Sequence, residues 1–428
     1  MTNTLYTQHL TTLLQRYHSA LNQFELDAII VAAGAPSYYF DDDNSHPFKP
    51  YANAQQWLPF DLPANSFIVI KRDKPELIWP VSEDFWHLNP AIPEGEWQQH
   101  WQITPTRDDS WCQALPTRQA IIGPVSVAGL SHHEALATWL NFDRAIKTPY
   151  EITCIKQASV KAAKGHNAAK QAFLAGASEL EIHLAYLQAT QQDATHTPYP
   201  NIVALNEHAA VLHYEQKQTE RPIRPLTLLV DAGATHNGYA SDITRTTATL
   251  NDDFYALVED MEELQHTIAQ RAVAGTDFIE LHQQTLHGIA HLLLRHRICS
   301  LSMEEQLEKR VPHHFFPHGL GHLLGLQVHD VAGKQTTALG TTHPAPEEHP
   351  FLRMTRTLDE HMVLTIEPGL YFIPTLMDRM KAKVRGHGCD VRKINEFMPY
   401  GGIRVEDNIV VGVEGVRNLT EEAFREIQ

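Results

Sequence analysis

Cysteine is scarce in this chain of 428 residues: there are four, Cys112, Cys154, Cys299 and Cys389. They are scattered and make no CxxC pair, so they read as inert thiols, buried or at the surface, and not as a disulfide framework. Long apolar runs are missing as well. No stretch approaches the ~20 residues that span a bilayer. The polar start, MTNTLYTQHLTTLLQRYHSA, lacks the unbroken apolar core of a secretion signal. Positive charge is in short supply: 34 lysines and arginines stand against 51 acids, a formal net charge of −17. An acidic surface repels nucleic acid and anionic membranes, so neither is an expected partner. A local basic pocket for a carboxylate is still compatible with it. Together these absences make the cytoplasm the expected location.

What is present is ordinary for a globular protein, with 43% hydrophobic and 20% charged residues. At ~100–200 residues per domain, the length suggests two or three domains. Residues 1–150 read as an α/β unit. An amphipathic helix over Leu5–Phe24 leads into an apolar strand at Leu26–Val31, and further apolar runs follow at Phe67–Lys71, Leu77–Trp79 and Ala120–Gly123. The alternation predicts a small mixed sheet. All seven tryptophans fall here and read as packing.

AIKTPYEI (145–152) reads as a boundary, and 151–428 as a second domain. Helical spacing covers Ile152–Phe173 and Glu179–Gln192. Strand-like passages follow: NIVALN, AAVLHY, LTLLVDAGA and YASDITRTTATL. Two long helices are expected over Asp253–Ala272 and Phe278–His296, and strands return with MVLTIEPGLYFI and GGIRVEDNIVVG. This predicts an α+β domain whose curved, mostly antiparallel sheet is covered by helices. The stretch 373–399 carries no readable chemistry.

The passage LLVDAGATHNGYASDITRT is the most informative. Two strand-like runs flank THNG, and Asn-Gly is a strong turn signal. A hairpin centred between His236 and Asn237 puts Asp231 directly opposite Asp242, side chains on one face. Two like charges there repel, and a cation between them removes the cost. Two solvated acids beside an exposed turn explain this passage equally well. Further acids shift the balance. Glu367 ends the apolar strand VLTIEPG, and Glu406 sits in GGIRVEDN on the face of Arg404, with Asp407 pointing the other way. A carboxylate in an apolar strand is costly unless it is paired or coordinated. Arg404 could pair with Glu406, but Glu367 has no comparable neighbour.

Most of the 27 histidines carry no partner pattern. FFPHGLGHLLGLQVHD is different: His318, His322 and His329 lie among glycines that let backbone approach closely. One imidazole and four carboxylates make a donor set for two divalent cations. Oxygen donors favour hard ions, and the imidazole shifts the preference toward manganese, with cobalt or zinc able to substitute. Two such ions can share one water, lower its pKa and clamp an oxyanion, which is hydrolytic chemistry.

Asp231-x10-Asp242, HGLGH ending at His322, TIEPG around Glu367 and GIRVED around Glu406 resemble the dinuclear metallopeptidases of the pita-bread fold. That group includes methionine aminopeptidase, aminopeptidase P and prolidase. PYPNIVALNEHAAVLHY, FFPHGLGHLLGLQVHDVAG and PFLRMTRTL are similar, in order, to passages of bacterial prolidases, including the organophosphorus acid anhydrolase-like branch. The resemblance covers nearly the whole chain and is strongest over 145–412.

It implies a pita-bread catalytic domain behind an N-terminal capping and dimerisation domain. Asp231 and Asp242 would bind one metal, His322 and Glu367 would complete the shell of the other, and Asp242 and Glu406 would bridge. Glu367 would also act as general base. His213 and His329 would contact substrate and stabilise the tetrahedral intermediate, while His318 would line the pocket. Arg353 would grip the carboxylate of a dipeptide ending in proline. Arg404 would orient ligands near the substrate, and Tyr199 would form a pocket wall. Asp43 and Trp86 match positions that reach a neighbouring subunit's pocket, consistent with a homodimer. Three alternatives stand beside this: side hydrolysis of organophosphorus triesters, an aminopeptidase P-like enzyme acting on longer Xaa-Pro peptides, and a non-catalytic binding protein on the same fold.

Overall fold

A computed structural model describes residues 2–82 and 85–428. The chain divides into two compact units. The first comprises residues 1–154 with 237–239 and 335–342, and the second the remainder.

In the first unit, helix α1 (Thr2–Gln23) precedes strand β1 (Ala28–Ala32). A short helix α2 (Ala52–Gln55) follows, then β2 (Phe67–Ile70), β3 (Glu76–Pro80), β4 (Gln102–Thr106), β5 (Gln119–Ile122) and α3 (Glu134–Arg144). The sheet order is β4-β3-β2-β1-β5. β1 runs antiparallel to β2 and parallel to β5, and β3 runs parallel to β4, so the sheet is mixed as expected. AIIVA and FIVI are buried throughout, as befits the centre of a sheet covered on both faces. β4 and α3 carry weaker patterns and were not legible in the sequence.

The second unit begins within α4 (Pro149–Leu174). It continues through α5 (Glu179–Thr190), β6 (Ile202–Leu205), β7 (Thr227–Asp231), β8 (Thr235–His236), β9 (Tyr239–Ala240) and β10 (Thr244–Ala248). Helices α6 (Asp253–Gln270), α7 (Phe278–Arg295) and α8 (Met303–Glu308) follow. The remaining elements are β11 (Val363–Ile366), β12 (Gly369–Tyr371), α9 (Pro374–Lys383), α10 (Val391–Phe397), β13 (Gly402–Arg404), β14 (Asp407–Val411), β15 (Val416–Asn418) and α11 (Leu419–Glu426). The strands form small antiparallel sheets, β10-β7-β6, β11-β14-β15 and β12-β13. The sequence-predicted strands and long helices fall on these elements with one exception.

That exception is AAVLHY, which alternates like a strand but starts in a 3-10 turn over Asn206–Ala210. Asn206 sits at φ 56°, and its side chain accepts from the backbone N–H of Leu226 and Thr227. It turns the chain off the sheet edge. The 373–399 stretch is helical, not a bare loop, because it contains α9 and α10.

Asp252 and Asp277 cap α6 and α7 through their side chains, each cap worth about 1 kcal/mol. Phe254, Leu257 and Met261 on α6, with Leu286 and Ile289 on α7, pack onto Leu370, Ile403 and Val405. This core backs the strands that present the site.

Candidate metal centre

Asp231 closes β7 and Asp242 lies just before β10. Symmetry in the sequence places them directly opposite, but in the structure the pairing register is shifted by two residues. Asn237 and Gly238, at φ 51° and 81°, make the turn, and Asp231 pairs with Thr244. Asp242 is therefore a diagonal neighbour of Asp231, two residues along the same face. The two-residue period keeps both carboxylates on one side.

Glu406 reaches the same place from the far strand. Its N–H donates to the Thr244 carbonyl at 3.1 Å, and Thr244 Oγ1 donates to its Oε2 at 2.6 Å. Asp407 points away, as its position predicts, and accepts from Arg245 Nη2 at 2.7 Å.

His322 and Glu367 meet because the HGLGH passage runs beside β11. Thr365 N–H donates to His322 O at 2.9 Å, and Glu367 N–H donates to Leu320 O at 2.8 Å. Only glycine fits at position 321, where a Cβ would lie 2.0 Å from the Thr365 carbonyl oxygen. His322 Nε2 then lies 3.4 Å from Asp242 Oδ2 and 3.7 Å from Glu367 Oε1. His322 Nδ1 faces the Leu323 carbonyl at 3.0 Å. A carbonyl only accepts, so Nδ1 holds the proton and Nε2 faces the acids.

The electrostatics show that this cluster fits metal. Asp242, Glu406 and His322 are buried, and one ligand atom from each lies within 4.8 Å of the other two. That spacing suits a common ion at metal–ligand distances of ~2 Å. Burial, reinforced by Asp242, Glu367 and Asp231, drives the Glu406 carboxyl far above the usual range. Burial likewise raises Glu367 to about 7, against the pull of His322 and Arg404, and raises Asp231 against Arg404. Burial works against charge on Asp242 too, but hydrogen bonding and charge from His322 outweigh it, leaving its pKa lowered. Burial opposes protonation of His322, yet Asp242 and Glu367 more than offset it, leaving its pKa raised. Four acids beside one arginine cannot all ionise without added positive charge, and divalent cations supply it.

Arg404 is buried and donates to Asp231 Oδ2 at 2.7 Å, Tyr371 Oη at 2.9 Å and Thr244 Oγ1 at 3.3 Å. Its hydrogen bonds thus go to Asp231 and its supports, which makes it an orienter. The Tyr199 hydroxyl, expected only as a wall, reaches both aspartates, at 2.8 Å to Asp231 Oδ1 and in a shorter contact to Asp242 Oδ1. His318 Nδ1 faces the Gly319 carbonyl at 2.8 Å, leaving Nε2 to accept from Tyr371 Oη at 2.9 Å. Burial holds its pKa near 3, so the ring is neutral.

A cavity of about 920 Å³ opens above the acids. It brings together every residue that the sequence marks for the site, including His213, His329 and Arg353 on its wall. Ile202, Leu212, Val328 and Phe351 add apolar lining. The His329 ring stands perpendicular to His322 with centroids 4.4 Å apart. Its protein surroundings and the neighbouring His322 and Arg353 hold its pKa to about 4.

Comparison with known proteins agrees with this geometry. A model of metallopeptidase family M24 matches residues 153–412. The chain belongs to metallopeptidase family M24. A model of the Xaa-Pro dipeptidase N-terminal domain matches residues 4–147. The M24 chain is 41% identical over 434 residues to an Xaa-Pro dipeptidase of Cronobacter sakazakii, covering 98% of each chain. It is 41% identical over 425 residues to one of Marinobacter nauticus, covering 97% of each. Zinc-substituted Escherichia coli aminopeptidase P in complex with product superimposes with a TM-score of 0.72 at 21% identity, covering 98% of each chain. That likeness is one of fold, and the expected α/β domain followed by a pita-bread domain is the architecture of this M24 chain.

Two supporting residues of the M24 site escape a sequence reading. Tyr371 ties His318 to Arg404, yet GLYFI reads as plain core. Thr244 holds both Arg404 and Glu406. Its place two residues after Asp242, on the same strand face, is a signal that could have found it.

Proposed function

We propose that this chain is a metallo-dipeptidase that hydrolyses dipeptides ending in proline, the activity for which its Xaa-Pro dipeptidase relatives are named. One observation carries the reading: Asp231, Asp242, His322, Glu367 and Glu406 line one cavity whose wall holds Arg353. We assign these five to two divalent cations, manganese first, with cobalt or zinc able to substitute, on the basis of the donor set. Asp231 and Asp242 would hold one, His322 and Glu367 the other, and Asp242 and Glu406 would be shared. When bound, such a pair supplies Lewis acidity and acidifies water.

The chain's own groups do the rest. Glu367, at the cavity wall beside His322, is placed to accept a proton and return it to the leaving nitrogen. His329 is uncharged at neutral pH and, with His213, offers an N–H to the substrate oxygen as negative charge develops there. Arg353 presents a planar fork to the proline carboxylate, which sets substrate length at two residues. Arg404, His318 and Tyr371 hold the acids in place. The thiols are free, which supports a reducing, cytoplasmic setting. Exposed Phe40, Phe85 and Trp86 in the first unit supply apolar area for a second copy in a homodimer.

Manganese-loaded protein should hydrolyse Ala-Pro and Leu-Pro and leave Xaa-Pro-Xaa tripeptides nearly untouched. Absence of turnover on either dipeptide overturns the proposal. Faster cleavage of the tripeptide makes the chain an aminopeptidase P-like enzyme.

A further inference from the structure

The four cysteines look unrelated in the sequence, but folding brings two of them face to face. Cys299 follows α7 and Cys389 precedes α10, and they form a β-bridge pair. Ser300 N–H donates to Gly388 O and Asp390 N–H donates to Ile298 O, each at 2.9 Å. Hydrogen bonds on both sides place the pair at the narrow position of an antiparallel ladder, where Cα atoms stand about 4.5 Å apart. A disulfide needs roughly 4.4–6.8 Å, so the spacing suffices, at its short end. The sulfurs also point the same way. The His387 carbonyl oxygen lies 3.4 Å from Cys299 Sγ and 3.5 Å from Cys389 Sγ, and Met380 Sδ lies 3.7 Å from Cys389 Sγ. The loop reaches this position through Gly388 at φ +64°, where a Cβ would meet Leu301 Cγ at 2.5 Å.

We propose that Cys299 and Cys389 are a paired oxidation site that closes to a disulfide when it meets a hydroperoxide. The Cys299 thiolate attacks the peroxide, breaking its O–O bond, and becomes a sulfenic acid as an alcohol or water leaves. The Cys389 sulfur then attacks the sulfenic sulfur, the S–S bond forms, and hydroxide takes the second thiol proton and leaves as water. Two thiols and one hydroperoxide give one disulfide, one alcohol (water from hydrogen peroxide itself) and one water. Cys299 is suited to the first step: the neighbouring Cys389 and the backbone N–H groups of Leu301 and Ser300 outweigh burial and hold its thiol near 7. Both side chains are nearly covered, so the site admits a small oxidant and excludes bulky ones.

Closure has a reach beyond the two sulfurs. It ties the end of α7 to the loop that joins α9 to α10, and Ile373 and Leu376, at the start of α9, line the cavity. The covalent ring would enclose His318, His322, Arg353 and Glu367.

The test uses the full chain, treated with hydrogen peroxide, unfolded, alkylated with iodoacetamide and weighed intact. The expected result is two carbamidomethyl groups where the untreated control carries four, on a chain that is itself about 2 Da lighter by two hydrogens, with a linked Cys299–Cys389 peptide and with Cys112 and Cys154 alkylated. Dithiothreitol should restore four alkylatable thiols. In Cys389→Ser, Cys299 should stop at a sulfenic acid that dimedone traps. Four alkylated thiols after peroxide, or a linkage to a different cysteine, overturns the proposal. So does thiol protection without mass loss that a chelator releases, since that identifies a soft-metal site. The wild-type measurement decides the matter even if a serine variant fails to fold.

Discussion

Two sets of apolar strands in this chain end differently. In the first unit, AIIVA, FIVI and QAII are buried and bear no acid. In the second, TLLVD ends on Asp231, VLTI runs into Glu367, and GIR is followed closely by Glu406. These three strands gather only packing free energy, and the acid that opens β3 of the same sheet, Glu76, stands alone beside Lys71. The second directs like charges to one point, a placement that is unfavourable unless cations hold them. Several acids converging from the ends of separate apolar strands are thus the mark of the site, and their absence marks scaffold.

The contrast is broken most severely at Asp242, the acid that touches both His322 and Tyr199. Asp242→Asn should cut kcat/KM on Leu-Pro by about 1,000-fold or more while the far-ultraviolet circular dichroism stays unchanged. A tenfold loss or less would remove Asp242 from the centre.

A smaller effect sharpens the same difference through pH. Burial raises the pKa of Glu367 to about 7, above its unfolded value near 4.5, and raises Glu406 further. A carboxyl raised on folding gives stability that is present at low pH. That stability is lost as pH rises from the unfolded value through the folded one. Chelator-stripped protein should therefore lose Tm between about pH 5 and 7, whereas manganese-loaded protein should hold its Tm across that window. Parallel Tm profiles for the two forms would contradict the charge argument.

The smallest effect on chemistry is expected at Ile30, buried in β1. Ile30→Ala should destabilise the protein by roughly 2–5 kcal/mol, seen in urea unfolding. At a temperature where the variant stays folded, kcat/KM should change by less than about threefold.

Much of this was legible in the sequence for physical reasons. Glu367 stood out because a lone acid in VLTIEPG has no neighbour to neutralise it. His322 stood out because Gly321 and its fellow glycines announce close backbone approach. Register was less legible. The turn lies at Asn237–Gly238 and not around His236, so Thr244 takes the place opposite Asp231 that symmetry gave to Asp242. AAVLHY misled because alternation cannot register the long-range bonds of Asn206. Tyr371 was silent because its hydroxyl matters only once folding brings His318 and Arg404 to it.

The central claim is that five side chains from separate strands and one glycine-rich passage hold two cations. Elemental analysis of gently purified protein, beside Glu406→Gln handled identically, tests it most directly. The account predicts about two divalent ions per chain in the wild type and fewer than one in the variant. Equal metal content in the two proteins, or none in an active wild type, would contradict it.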